Sequence, residues 1–308
     1  MGVGKHTMLK VVLSGIFYPM AILRYFEAAF ERRSDVELWT VGPYTGRQIP
    51  WDGGMVLAER YARSPDCPVG RSIVPTCPFR WAEHYLPWEP DLWVEIDAGF
   101  HFTGRPKSGK VAIIGTDPHV LNYSTQRGLA DKFFCMQKHY QKPTDIYLPY
   151  AADPLWHRRI EVKGSAWDAA LLGIHYQQRD QLVKALEKEG LKVYYGLGPV
   201  FDQAHRIYLR TKVGLNWSSL KDLNARVFEI LHMGLPLVTN RVPDMGDFFT
   251  EGIDYFGFDT IEEAVKQVLK LLENGTLAKR LGDSGAYHAA QNTWDHRVDQ
   301  ILEEMVSA

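Results

Sequence analysis

The stretch from Val213 to Pro243, VGLNWSSLKDLNARVFEILHMGLPLVTNRVP, admits few folds. Val213 to Leu215 is a short apolar run of the kind that forms a buried parallel strand. Asn216 to Asp222 is polar and carries turn residues. Asn224 suits a helix N-cap, and Val227, Ile230 and Leu231 give the apolar face that follows. Gly234 and Pro236 end the helix in the usual order, and a strand resumes from Pro236 to Thr239. A helix that opens where a strand ends belongs to an open parallel sheet. In such sheets ligands sit at the carboxyl ends of the strands, and unpaired amides at the helix start suit a phosphate.

Arg226 and Glu229 are three apart on this helix and share a face. One reading is a surface ion pair worth a fraction of a kcal/mol. The other is a ligand pair, with the guanidinium on a phosphate and the carboxylate on ribose hydroxyls. Spacing alone leaves both open. The surroundings add more: Asn224-x-Arg226-x-Phe228-Glu229, then four residues, then Gly234-Leu-Pro236. This resembles the signature of GT-B nucleotide-sugar glycosyltransferases, in particular the CgeB-like branch. The resemblance implies that Glu229 holds the donor ribose and that the Gly-x-Pro turn leads to a loop over the sugar and diphosphate. One position departs from the wider group. Many retaining GT-B enzymes carry an acid eight residues before the Glu, where this chain has Lys221.

The rest of the chain alternates strands and helices. Leu9 to Leu13, a helix from Met20 to Arg33, and Val36 to Val41 open a doubly wound domain. Residues 43–80 are rich in Pro, Gly and Arg and read as a flap over an acceptor site. Strands at 91–96 and 110–114 deliver Asp97 and Asp117-Pro-His119 to their carboxyl ends. Lys132 to Met136 and Ile146 to Pro149 follow. Tyr147 to His157, with Asp153-Pro154, resembles the family's interdomain crossing. The expected domains are therefore 1–157, on the acceptor side, and 158–308, on the donor side. The second half begins with a strand at 167–172, the loop Gly173 to Arg179, a helix at 180–189 and a strand at 191–195 ending in Gly196. Further helices are expected at 201–210, 261–274 and 277–291. Thr293-Trp-Asp-His296-Arg297 resembles the family's closing motif, which starts a last helix that packs back on the first domain. The expected fold class is thus α/β, GT-B, with two Rossmann-like domains facing a cleft.

Composition narrows the function. A chain of 308 residues is long for one core. The net charge of −2 shows no basic excess, which weighs against a protein that works mainly by gripping nucleic acid. The three cysteines have no Cys-x-x-Cys spacing, so neither a disulfide framework nor a zinc site is expected, and buried thiols are the default. No segment is long and apolar enough to span a bilayer and the start has no apolar signal core, so a cytoplasmic enzyme is expected.

The expected donor-site residues are Gly173, Arg179, Tyr195, Gly196, Asn224, Arg226 and Glu229. Without an Asp-x-Asp motif to hold Mn²⁺ or Mg²⁺, the charge on a diphosphate leaving group falls to Arg, Lys and helix amides, and no metal or other cofactor is expected. Asp97, Asp117 and His119 are candidates for a general base, with helix caps and turns as the alternative roles. The expected reaction moves a sugar from a nucleoside-diphosphate sugar, UDP-sugar by base rate, to a hydroxyl on a glycoconjugate, a small molecule or a modified DNA base. Two other classes stay open: a sugar-nucleotide epimerase and a non-enzymatic two-domain binding protein.

Overall fold

The computed structural model describes residues 8–16, 21–42, 48–51, 54–57, 76–97, 101–196 and 202–306. The chain divides into two compact units. One comprises Met1–Pro149 and Arg297–Ala308, the other Tyr150–His296. The division falls ahead of the boundary expected after His157. Ala152 gives the reason: its N–H donates to Asn292 O, its carbonyl accepts from Trp294 N, and it bridges Thr293. Most of the expected flap at 43–80 lies outside the described residues.

The first unit runs β1 (Leu9–Ser14), α1 (Leu23–Glu31), β2 (Val36–Val41), the hairpin β3 (Gln48–Trp51) and β4 (Gly54–Leu57), β5 (Thr76–Pro78), α2 (Phe79–Glu83), β6 (Leu92–Asp97), β7 (His101–Thr103), β8 (Lys110–Gly115), α3 (Ser124–Leu129), β9 (Lys132–Cys135) and β10 (Ile146–Tyr147). Its main sheet is parallel throughout, in the order β10-β9-β8-β6-β1-β2. β1 is apolar from Val11 to Leu13, and all three residues are fully buried, as a strand covered on both faces requires. Trp93, Phe79 and Phe102 pack edge-on and stacked in the core beneath β7. Of the cysteines, Cys135 is a buried free thiol. Cys77 is disulfide-bonded, which corrects the expectation of thiols throughout. An odd count still leaves room for one pair.

The second unit runs β11 (Trp167–Leu172), α4 (Gln177–Lys188), β12 (Val193–Gly196), α5 (Asp202–Leu209), β13 (Thr211–Asn216), α6 (Ala225–His232), β14 (Leu237–Asn240), β15 (Tyr255–Phe258), α7 (Ile261–Glu273) and α8 (Gly275–Ala289). Its sheet is also parallel, in the order β12-β11-β13-β14-β15. Along β11 the residues alternate between two apolar clusters. Ala170 and Leu172 join Phe228 and Ile230 of α6, while Ala169 and Leu171 join Leu182 of α4 and Val268 of α7. That is the period of a strand with helices on both faces. Gly214 lets α6 approach closely, because a Cβ there would stand 2.4 Å from Ile230 Cγ2.

The closing helix α9 (Trp294–Val306) begins in the second unit and continues in the first. Thr293 Oγ1 meets His296 Nδ1 at 2.9 Å, Trp294 is fully buried, and Arg297 Nε donates to Pro149 O at 2.9 Å. The Thr-Trp-x-His-Arg motif is thus a helix start with two buried anchors. Burial brings the Arg297 guanidinium down to about 10. Among the described residues no helix is long and apolar enough to cross a membrane.

Candidate functional site

In the second unit β11 stands between β12 and β13, so the chain leaves it to one side and returns on the other. In a parallel sheet such a switch point is where the loops after the two central strands commonly part and ligands bind at the carboxyl ends. Gly173 follows β11, and its N–H donates to Gly196 O at 2.9 Å, which ties the ends of β11 and β12 together. Gly173 has φ +139°, and a Cβ there would stand 2.9 Å from both Arg179 Nη1 and Arg226 Nη2. A side chain at this position would displace the two guanidiniums that converge over the glycine.

The two arginines differ in what holds them. Arg179, on α4, is 6% exposed, and every donor it uses goes to main chain: Nε and Nη2 to Trp217 O at 2.9 and 2.6 Å, and Nη1 to Ile174 O at 2.9 Å. It joins the loop after β11 to the loop after β13. Burial, followed by the charge of Arg226, lowers its pKa to about 10. Arg226 is half-buried and makes one side-chain bond, Nη1 to Asn216 Oδ1 at 3.3 Å. Neither arginine has a carboxylate partner among the described residues. The surface ion pair between Arg226 and Glu229 therefore does not form.

Asn216, the last residue of β13, is the hub. Its Oδ1 accepts from Arg226 and from Asn224 Nδ2, and its Nδ2 donates to Thr239 Oγ1 at 3.0 Å. Asn224 occupies the N-cap position of α6 but makes no side-chain cap bond. Its Oδ1 is buried with no hydrogen-bond partner among the described residues. Beneath lies Tyr208 of α5, buried, with its hydroxyl also unpartnered and its pKa raised by burial, in the field of Arg226 and Glu229. The two guanidiniums and the Tyr208 hydroxyl can donate to an anion, whereas the Asn224 amide oxygen calls for a donor such as a ligand hydroxyl. The loop between Trp217 and Leu223 is held by Ser218 N to Asn240 Oδ1 at 2.7 Å and by the Ser218–Asp222 hydroxyl–carboxylate bond. Lys221, where the wider group has an acid, sits in this loop at φ 56°, the one residue other than glycine with positive φ among those described.

Glu229 lies one turn further along α6, its side chain 18% exposed. His157 Nε2 stands 3.7 Å from Glu229 Oε1. The imidazole is buried, which pushes its pKa below the ordinary value, with Glu229 and Asp153 pulling the other way. Tyr195 stacks on His175, with centroids 4.0 Å apart. Burial, then the Asp180 carboxylate, pushes its phenol up to about 12. The structure thus gathers Gly173, Arg179, Gly196, Asn224 and Arg226 at one switch point, with Glu229 along the same helix and Tyr195 at the end of β12. Sequence reasoning missed Asn216, Tyr208 and His157. Asn216 opens the polar run after a strand, and Asp153-Pro-x-x-His157 is a patterned crossing, so both left a trace; Tyr208 left none.

In the first unit Asp97 ends β6 and is in register with Gly115 of β8, so the two expected strands are neighbours. The Asp97 side chain lies outside the described residues. Asp117 accepts from Thr116 Oγ1 at 3.0 Å and stands 4.0 Å from His119 Nε2. His119 Nδ1 is buried and unpartnered. The His119 ring, with Asn122, Arg127, Tyr140 and Lys142, lines a cavity of about 350 Å³. Arg127 is held there by a bidentate pair with Asp145. Among the described residues no three His, Cys, Asp or Glu gather so as to hold a metal ion.

Residues 150–303 match the family described as glycosyl transferase-like, and the chain belongs to that family. It is a glycosyltransferase. The whole chain superposes on solved structures at low identity. Sucrose-phosphate synthase from Thermosynechococcus elongatus matches with TM-score 0.62 and 9% identity, covering 97% of this chain and 99% of that one. A glycosyltransferase from Rickettsia africae matches with TM-score 0.62 and 6% identity, over 97% and 99%. Anabaena HepE in complex with UDP matches with TM-score 0.57 and 11% identity, over 98% and 100%. These likenesses establish the GT-B fold. No curated protein matches the chain.

Proposed function

We propose that this enzyme transfers a sugar from a nucleoside-diphosphate sugar, a UDP-sugar, to an acceptor hydroxyl without a protein-held metal ion. The observation that carries this reading is the convergence of Arg179 and Arg226 over Gly173, with no carboxylate partner among the described residues, beside the start of α6. A leaving diphosphate concentrates negative charge, and fixed cations with helix amides stabilise it as the bond breaks. In the reaction the bond from the anomeric carbon to the diphosphate oxygen breaks, and a bond from that carbon to the acceptor oxygen forms. The acceptor proton passes to a base or to the departing phosphate. Asn216 and Gly173 position Arg226, and Glu229 accepts from the ribose hydroxyls. A UDP complex of a protein with the same fold supports the choice of nucleotide.

Asp97, Asp117 and His119 are the base candidates of the first unit. The unpartnered His119 Nδ1 and the adjoining cavity favour a hydroxylic acceptor there. The test is a thermal-shift screen over UDP, GDP, TDP, CMP and their sugars. One nucleoside diphosphate is expected to raise the melting temperature by an amount set by its concentration over its dissociation constant. A flat response across the set would overturn the reading.

A further inference from the structure

The crossing from Asp153 to Arg159 is bonded to the helices around it residue by residue. Asp153 Oδ1 accepts from Leu155 N and Trp156 N, at 2.9 and 3.0 Å. His157 O accepts from His232 Nδ1 at 2.8 Å, and Arg158 O from His205 Nε2 at 2.7 Å. Arg159 pairs with Asp283 of α8. Within this brace His157 has a defined proton. Its Nδ1 accepts from Asp153 N–H at 2.9 Å, so in the neutral ring the proton sits on Nε2. Nε2 is the atom that faces Glu229. His232 lies three residues beyond Glu229 on the same helix face, so the crossing grips α6 at two successive turns.

We infer that His157 is a positioning residue for Glu229: it aims the carboxylate at the ribose by directing Nε2–H to Oε1, in a tautomer fixed by the Asp153 amide. The inference rests on the proposed ribose role of Glu229. A carboxylate that must accept from two neighbouring hydroxyls needs one orientation, and a buried neutral imidazole supplies a donor without cancelling the charge. At 3.7 Å the two atoms are beyond hydrogen-bond range, and the inferred bond requires the carboxylate to shift toward the ring when the ribose binds.

Two substitutions separate this role from a structural one. His157→Asn keeps an acceptor where Nδ1 stands and loses the donor to Glu229. His157→Gln keeps a donor near Nε2 and loses the bond to Asp153. UDP, 2′-deoxy-UDP and 3′-deoxy-UDP are titrated calorimetrically into the parent, both variants and Glu229→Gln, as full chains. The parent is expected to prefer UDP to the deoxy nucleotides by roughly tenfold to a hundredfold, and Glu229→Gln to lose most of that preference. His157→Asn is expected to lose it as well, at an unchanged melting temperature, and His157→Gln to retain most of it. A His157→Asn protein that discriminates like the parent, while Glu229→Gln does not, overturns this inference alone. A parent that ignores UDP, or a Glu229→Gln protein that still discriminates, overturns the ribose reading and this inference with it.

Discussion

In the second unit the switch-point strands β11 and β13 lead to Gly173 and Asn216, and beyond them gather two guanidiniums with no carboxylate partner among the described residues. In the first unit β1 stands between β2 and β6, and β6 and its neighbour β8 lead instead to Asp97, Asp117 and His119. Both sheets are parallel and doubly wound, and their strand ends carry opposite chemistry. One set is cationic and the other carries carboxylates and an imidazole; in the proposed reaction the first meets the leaving diphosphate and the second the acceptor hydroxyl. The sheet fixes only where a site can form; the residues just past each strand decide what it binds.

The largest effect that tests this contrast belongs to the first unit. A general base contributes about 10²–10⁴-fold to turnover. One of Asp97→Asn, Asp117→Asn or His119→Ala is therefore expected to cut turnover by that order while donor affinity, measured separately by calorimetry, stays at the parental value. If all three keep parental turnover, the base is not among them, and proton transfer to the departing phosphate is favoured. If they lose nucleotide affinity instead, the division between the units fails.

A second effect separates the two arginines. Arg179 bonds part-buried main-chain carbonyls in two loops, whereas Arg226 makes one long bond. Arg179→Met leaves the Ile174 and Trp217 carbonyls without their donor and is expected to cost about 2–4 kcal/mol of stability, read as a lowered melting temperature. Arg226→Met is expected to melt near the parent and to lose nucleotide affinity. Equal losses of stability would make Arg226 a structural cation like Arg179.

A smaller effect belongs to Glu229. Glu229→Ala is expected to weaken donor binding by about 1.5–3 kcal/mol, roughly tenfold to a hundredfold, with the fold intact. Nucleotide binding at parental strength in this variant would remove Glu229 from the site.

The fold was legible where strands and helices carry a clean period. The strands at 36–41 and 167–172 begin and end where the apolar pattern places them, and α6 starts at Asn224 and stops before Gly234 as its end residues require. β7 and α3 were not legible. His101 to Thr103 is too short to show alternation, and α3 has no buried residue to set a period. The site was legible as a motif and not as a network. The spacing of Arg226 and Glu229 allows an ion pair. It is avoided because Arg226 is drawn to Asn216 at the end of the preceding strand and Glu229 faces His157, which lies far back along the chain. Asn224 shows the same limit. Its residue type marks a cap, yet its amide is turned to Asn216, and the helix start is left without that cap bond.

The smallest expected effect is that of a chelator, and it bears most directly on the contrast between the units. If the charge that develops on the diphosphate is met by Arg226, by the start of α6 and by the field of Arg179, activity in excess EDTA is expected to equal activity without it. The arrangement of the two arginines makes this a strong test. Burial first, and then the charge of Arg226, lowers the pKa of Arg179, and a divalent cation beside the pair would add to their repulsion. A bound diphosphate relieves it, and one that brings its own Mg²⁺ relieves it less. Added Mg²⁺ is therefore expected to leave nucleotide affinity unchanged or to weaken it slightly, measured by calorimetry at constant ionic strength because exposed charges are screened by salt. Loss of activity in EDTA with rescue by Mn²⁺ or Mg²⁺ would mean that the guanidinium pair is insufficient for the leaving group and that the second unit works with a cation supplied from solution.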